Sequence, residues 1–201
     1  MGKIIKEYTL AEKIGLAFDL LRSKFVVPSA RLIRLPLYLR GKKYIDWGTS
    51  LTTGRNCRIE VFRLEDSHEK PELIFGRNVQ LNDYVHICVM RQVKIGDDVL
   101  VASHVYISDN SHGSYKGDVC SSPKEKPIDR EYHVSPVEIG NRVWIGEGVI
   151  VLPGVKIGDG AIIGAHSLVN TDIPAECIAA GSPARIIKKF DSIERKWKRI
   201  K

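Results

Sequence analysis

A period of six residues limits what this chain can fold into more than any other feature. Beginning at Phe75, hexads run Phe75-Gly-Arg-Asn-Val-Gln, Leu81-Asn-Asp-Tyr-Val-His and Ile87-Cys-Val-Met-Arg-Gln. After two extra residues, Val93 and Lys94, the frame resumes at Ile95, Val101 and Ile107 and breaks over residues 113–138. It then returns without interruption at Ile139, Ile145, Val151, Ile157, Ile163 and Val169, and two weaker hexads start at Thr53 and Ile59. Of these 14 hexads, 12 open with Ile, Val or Leu, and 12 carry Cys, Ser, Ala, Val or Ile at the fifth position. An α-helix cannot use a period of six, because its faces recur every 3.6 residues. A hairpin sheet alternates with period two and shows turn signals every 8–12 residues. Six residues suit one short strand and a corner, with the first and fifth side chains pointing inward. Glycine at the second position, as at Gly54, Gly76, Gly96, Gly140, Gly146, Gly158 and Gly164, is read as easing the bend.

Three such sides close a triangular coil, and coils stack at a strand spacing of ~4.8 Å. Each coil buries its aliphatic residues on its neighbours, so no repeat is stable alone. The hexad starts sort into three faces: 75, 95, 139 and 157; 81, 101, 145 and 163; 87, 107, 151 and 169. The expected fold is all-β, a parallel β-helix of about five coils over residues 48–184 with a loop inserted at 113–138.

The ends are different material. Thr9-Leu-Ala-Glu12 is a capping box opening a helix, in which Leu10, Ile14, Ala17, Phe18, Leu21 and Phe25 share one face and Pro28 stops the pattern. Residues 31–43, apolar but studded with arginine and lysine, read as a basic arm, so that 1–47 forms a helix and an arm. Residues 185–201 read as a basic tail, with Asp191–Lys201 as a short C-terminal helix carrying Ile193 and Trp197.

Charge follows the same division. The formal net charge is +7, but residues 1–47 hold 10 basic and 4 acidic side chains, and residues 185–201 hold 8 and 2. The stretch between them holds 13 basic and 18 acidic residues, which argues against a nucleic-acid groove along the body. Cys57, Cys88, Cys120 and Cys177 form no CxxC pair, so they read as thiols of a reducing cytoplasm, not as a zinc knuckle or a disulfide framework. No uncharged apolar run reaches the length of a membrane span, and the N-terminus has no apolar signal core. The cationic, apolar run Arg31–Lys43 can rest on an anionic membrane surface, or else pack on the base of the β-helix.

The hexads, the break after Ile107 and the closing Ala179-Ala-Gly-Ser-Pro-Ala-Arg-Ile-Ile187 together resemble the hexapeptide-repeat acyltransferases. More narrowly, the chain is similar to sugar O-acetyltransferases of the galactoside/maltose type, and to those of bacterial lipopolysaccharide and capsule synthesis. The resemblance covers about residues 50–190 and implies a left-handed coil, a cytoplasmic homotrimer with active sites between subunits, acetyl-CoA as donor and a saccharide as acceptor.

Moving an acetyl group from a thioester to a sugar hydroxyl needs a base, and histidine titrates near working pH. His112 closes the hexad Ile107-Ser-Asp-Asn-Ser-His where the repeat gives way to the loop, and the resemblance implies the catalytic histidine there. Asn82 matches a family asparagine that holds the acetyl carbonyl, a suitable donor for a developing oxyanion. His86, on the same turn, is a candidate for the acceptor pocket. By family position Trp144, Gly146, Glu147, Ala165, Asn170, Thr171, Arg185 and Lys188 border the coenzyme, with the two cations facing its phosphates. The chain departs from the family pattern at Thr171, where a lysine is expected, and at Glu147, where a small polar residue is expected. It departs again at Met90, where the galactoside enzymes hold the sugar with an aspartate.

Other chemistries fit less well. A zinc carbonic anhydrase on the same scaffold uses an HxxxxH pair, whereas His104 and His112 are eight residues apart, so no metal is expected. Covalent catalysis through Cys88 or Cys120 finds no base beside Cys88. N-acetylation of a nucleotide-linked amino sugar would use the same donor and the same histidine. A β-helix that only trimerises would have no use for a 26-residue loop placed directly after His112.

Overall fold

The computed structural model describes residues 7–65, 68–115, 117–118 and 120–200. The hexads stack as read. Phe75, Ile95, Ile139 and Ile157 are successive register partners on one face. Leu81, Val101, Ile145 and Ile163 form the second ladder. Ile87, Ile107, Val151 and Val169 form the third. All these pairings are parallel, and the inward residues merge into one core that includes Val79, Leu81, Val85 and Ile87, each 1% exposed or less.

Corners and glycines divide the work differently from the sequence expectation. The left-handed backbone falls on the fourth hexad position, at Asn78, Tyr84, Asp98, His104, Arg142 and His166. The second-position glycines serve close approach between coils instead. A Cβ on Gly158 would lie 2.3 Å from the Ala175 nitrogen, and one on Gly146 would lie 2.7 Å from the Ala165 nitrogen. Coil spacing, not backbone freedom, excludes a side chain there.

The stack begins earlier than the hexad frame indicated. Strands Leu32–Ile33, Leu37–Arg40 and Ile45–Asp46 pair with Thr52–Thr53, Cys57–Val61 and Glu72–Phe75 respectively. Residues 32–46, expected as an arm, therefore form a coil of their own, with Leu32 and Ile33 in the core and Trp47 stacked on Phe75 at 6.1 Å. Among the described residues the three faces join into sheets of nine, six and five strands.

The C-terminal helix is not formed. Arg185–Asp191 runs antiparallel to Cys177–Ala180 and turns back into Lys196–Arg199. Asp191 drives the reversal, since its Oδ1 accepts from the backbone of Ile193 and Glu194, both at 2.9 Å. Phe190 and Trp197 then face each other across the hairpin with ring centroids 5.3 Å apart.

At the other end, helix α1 spans Leu10–Val26 and opens on the expected box: the Glu12 amide donates to the Thr9 hydroxyl, and the Thr9 amide donates to the Glu12 carboxylate. The residues α1 buries are polar. Asp19 pairs with Arg55 at 3.0 Å, and the Ser23 hydroxyl accepts from the Ile33 amide at 2.6 Å. No helix among the described residues is long and apolar enough to cross a membrane.

Candidate active site

His112 belongs to a short ribbon in which Asn110–His112 pairs antiparallel with Tyr132–Val134. The ribbon ties the two ends of the inserted segment together at the edge between the six- and five-stranded faces. It leaves the coil at Asp109, a fully buried carboxylate that the sequence reading missed. Asp109 accepts hydrogen bonds from the backbone of Met90 at 2.8 Å and of Arg91 and Gln92 at 2.7 Å. These three amides belong to the corner of the coil below, where the residue count does not match the ladder. The only sequence signal was a hexad whose inward fifth position turns polar, at Ser111, beside the polar Ser108 and Asp109.

The side chain of His112 is exposed, with its ring tilted against Tyr132 at a centroid distance of 4.7 Å. Its carbonyl accepts from the Tyr115 hydroxyl at 2.5 Å, and that hydroxyl accepts from Arg130 at 2.8 Å. Arg130 also donates to the Glu125 carbonyl at 3.0 Å, so the loop is knotted back onto the residue that carries the histidine. Beside the ribbon lies an open cavity of about 590 Å³ lined by Ser111, Tyr115, His133, Leu152, Asn170 and Thr171 among others. The cavity brings the predicted coenzyme residues Asn170 and Thr171 to the edge that carries His112.

The other predicted residues fall elsewhere. Asn82 sits at the edge between the nine- and six-stranded faces, in a shallow hollow with Arg34, Gly54, Arg55, Asp83 and Ser103. Gly146, Glu147 and Ala165 lie higher on that edge, where the His166 amide donates to the Glu147 carbonyl at 2.7 Å. Trp144 projects from the nine-stranded face, half-exposed, in register with Leu100 and Ile162. Arg185 and Lys188 extend the same sheet, opposite Ala180 and Ile178. Within one chain, then, His112, Asn170 and Thr171 occupy one edge, while Asn82 and the remaining coenzyme residues occupy another edge or the nine-stranded sheet.

His86 is held in a polar cluster on the outside of the six-stranded face. Its Nε2 lies 3.3 Å from Glu60 Oε2, and its ring lies 5.1 Å from that of Tyr106. Glu60, only 2% exposed, also binds Arg58 through Nε at 2.5 Å and through a second nitrogen at 3.1 Å. Burial raises the Glu60 carboxyl, but the hydrogen bonds and charges of Arg58 and His86 outweigh it and leave it below the usual range. For His86 burial dominates and lowers the imidazole below its usual 6.5, the Glu60 bond offsetting part of this. A lowered histidine is protonated more readily in the unfolded chain, so stability present above about pH 6.5 is lost on acidification. Thermal melts taken between about pH 7.5 and 5.5 are expected to fall less steeply for His86→Gln than for the unaltered chain. Equal slopes would exclude this source.

Burial likewise raises the Cys88 thiol, which approaches the Asn110 amide at 3.5 Å, so it is a poor nucleophile at neutral pH. Among the described residues no three His, Cys, Asp or Glu side chains converge as a metal site.

This stack of hexads, with a histidine at the mouth of an inserted loop, is the architecture of a hexapeptide-repeat acyltransferase. Residues 136–171 match the family model described as bacterial transferase hexapeptide (six repeats). Over 198 residues the chain is 41% identical to the putative lipopolysaccharide biosynthesis O-acetyl transferase WbbJ of Escherichia coli K12, covering 98% of each chain. The chain therefore belongs to the hexapeptide-repeat transferase family, which implies the left-handed sense of the coil. It is also 38% identical over 122 residues to the galactoside O-acetyltransferase of Escherichia coli K12, spanning 61% of this chain and 56% of that one. Among solved structures, galactoside acetyltransferase in complex with coenzyme A superposes with a TM-score of 0.54 at 27% identity, covering 97% of this chain and all of that one. AntD, an N-acyltransferase from Bacillus cereus in complex with dTDP and 3-hydroxybutyryl-CoA, shares the fold at a TM-score of 0.66 and 17% identity, over 86% of this chain and 90% of that one.

Proposed function

We propose that this protein transfers an acetyl group from acetyl-CoA to a sugar hydroxyl of a surface polysaccharide or its precursor, as a cytoplasmic homotrimer. The observation that carries the reading is the placement of His112. An exposed imidazole stands on a ribbon anchored by the buried Asp109, beside a cavity lined by Asn170 and Thr171. The alignment with the O-acetyl transferase spans nearly the whole chain, whereas the likeness to the N-acyltransferase is one of fold. Oxygen is therefore the favoured acceptor atom.

The residues present fit a coenzyme. The edge at Gly146 and Ala165 is so thin that a Cβ on Gly146 would meet the next coil, which leaves room for a narrow arm against backbone. Arg185 and Lys188 supply cations for its phosphates. When bound, the coenzyme supplies an acyl thioester. His112 takes the proton from the sugar hydroxyl, and the freed oxygen forms the new ester bond at the carbonyl. The Asn82 amide donates to the oxyanion, and the proton on His112 passes to the departing thiolate. Because Asn82 and His112 lie on different edges, one site takes His112 from one copy and Asn82 from its neighbour, which is what a trimer supplies. Outward apolar side chains on the nine- and six-stranded faces, among them Leu100, Trp144 and Ile150, are suited to that contact. Incubating the protein with acetyl-CoA and a panel of oligosaccharides, nucleotide sugars and amino sugars tests the reading, with acetylation of a saccharide hydroxyl as the expected result.

A further inference from the structure

Helix α1 turns its apolar stripe away from the protein. Leu10, Ile14, Phe18, Leu21 and Phe25 are all exposed, from 51% at Ile14 to 80% at Phe25, while Asp19 and Ser23 face the β-helix. Polar bonds fix this orientation: Asp19 to Arg55, Ser23 to the Ile33 amide, and Lys42 Nζ to the Val26 carbonyl at 2.7 Å. The run Arg31–Lys43 spends Leu32 and Ile33 on the core and pairs with the next coil, so its apolar side chains are less free than those of α1.

Charges are arranged around the stripe in a definite order. At 3.6 residues per turn, Lys13 and Lys24 lie about 80–100° to one side of its centre, and Arg22, which is paired with Asp19, lies about 80° to the other. Glu12 and Asp19 lie roughly opposite, about 140–160° away, and Asp19 is buried there. Lysines thus line one border of the apolar face, Asp19 neutralises the arginine on the other, and carboxylates are kept off the face. A bilayer rewards this order, since apolar side chains enter the acyl boundary while lysine and arginine stems reach back to anionic headgroups.

We propose that α1 lies in the surface of an anionic lipid leaflet, with Leu10, Ile14, Phe18, Leu21 and Phe25 inserted and Lys13 and Lys24 at the headgroups. The β-helix would then be held beside the membrane by a helix that meets its core only at its last residue, Val26, among the described residues. This inference is independent of the acetyl-transfer reading.

The test is co-sedimentation of the full chain with phosphatidylcholine vesicles and with vesicles containing phosphatidylglycerol. The expected result is binding to the phosphatidylglycerol vesicles that weakens with salt and with Lys13→Gln/Lys24→Gln. Phe18→Ser/Phe25→Ser should reduce it roughly tenfold or more. Because both phenylalanines are exposed, the serine variant should keep its melting temperature and its mass in solution. No binding of the unaltered chain to anionic vesicles, or full binding by the serine variant, overturns the proposal. So does a change in oligomeric mass without lipid, which would make the stripe a contact between copies.

Discussion

Replacing His112 by alanine is expected to lower turnover by roughly 10²–10⁴-fold, the range a positioned general base contributes. The side chain is exposed and, among the described residues, makes only the ring contact with Tyr132, so the fold should be unaffected. Coenzyme binding, measured by calorimetry on the same variant, should remain near that of the unaltered chain. Turnover close to normal would remove His112 from the chemistry. The variant also probes where the site lies. Asn82→Ala should be impaired on its own, and copies carrying His112→Ala co-expressed with copies carrying Asn82→Ala should regain activity. Mixed assemblies then contain interfaces at which both residues are intact. No recovery would show that each chain works alone or that Asn82 takes no part.

The second large effect is structural. Asp109→Ala removes the acceptor of three backbone amides at Met90, Arg91 and Gln92. At the low end of ~1–3 kcal/mol for each donor left unpaired, the three together come to roughly 3 kcal/mol, a fall in melting temperature of at least about 6–12 °C for a chain of this size. Asp109→Asn keeps one oxygen and should lie between the two. Because the His112 ribbon leaves the coil at Asp109, the asparagine variant should also lose turnover while keeping most of its affinity for the coenzyme. A melting temperature unchanged in Asp109→Ala would mean that solvent satisfies this corner without the carboxylate.

How much could be read beforehand depended on whether a residue's partner follows the period. Phe75, Ile95, Ile139 and Ile157 were assigned to one face because each first-position aliphatic packs on the same position one coil away. The first coil escaped notice because Ile33, Leu39 and Trp47 are spaced six and then eight residues apart, with arginines between them. Its pairing with Thr52–Thr53 and Cys57–Val61 is clear only in three dimensions. Ile193 and Trp197, four residues apart, suggested a helix, but Trp197 instead meets Phe190 across a hairpin that Asp191 closes. The stripe of α1 was legible as a stripe. Its direction was not, because it is set by Asp19 finding Arg55, thirty-six residues away. At the site, His112 and the loop stood out at the break in the repeat. Asp109, Tyr115 and Arg130 did not, since their roles rest on backbone groups that no side-chain pattern encodes.

In the proposed function a hydroxyl receives the acetyl group. Its most direct test is to transfer a labelled acetyl group from acetyl-CoA to the saccharide that proves to be the acceptor and treat the purified product with mild alkali. An ester formed at a sugar hydroxyl releases its label as acetate, and formation of that ester should depend on His112. Label that stays on an amino sugar as an alkali-stable amide would contradict O-acetylation and make the protein an N-acetyltransferase.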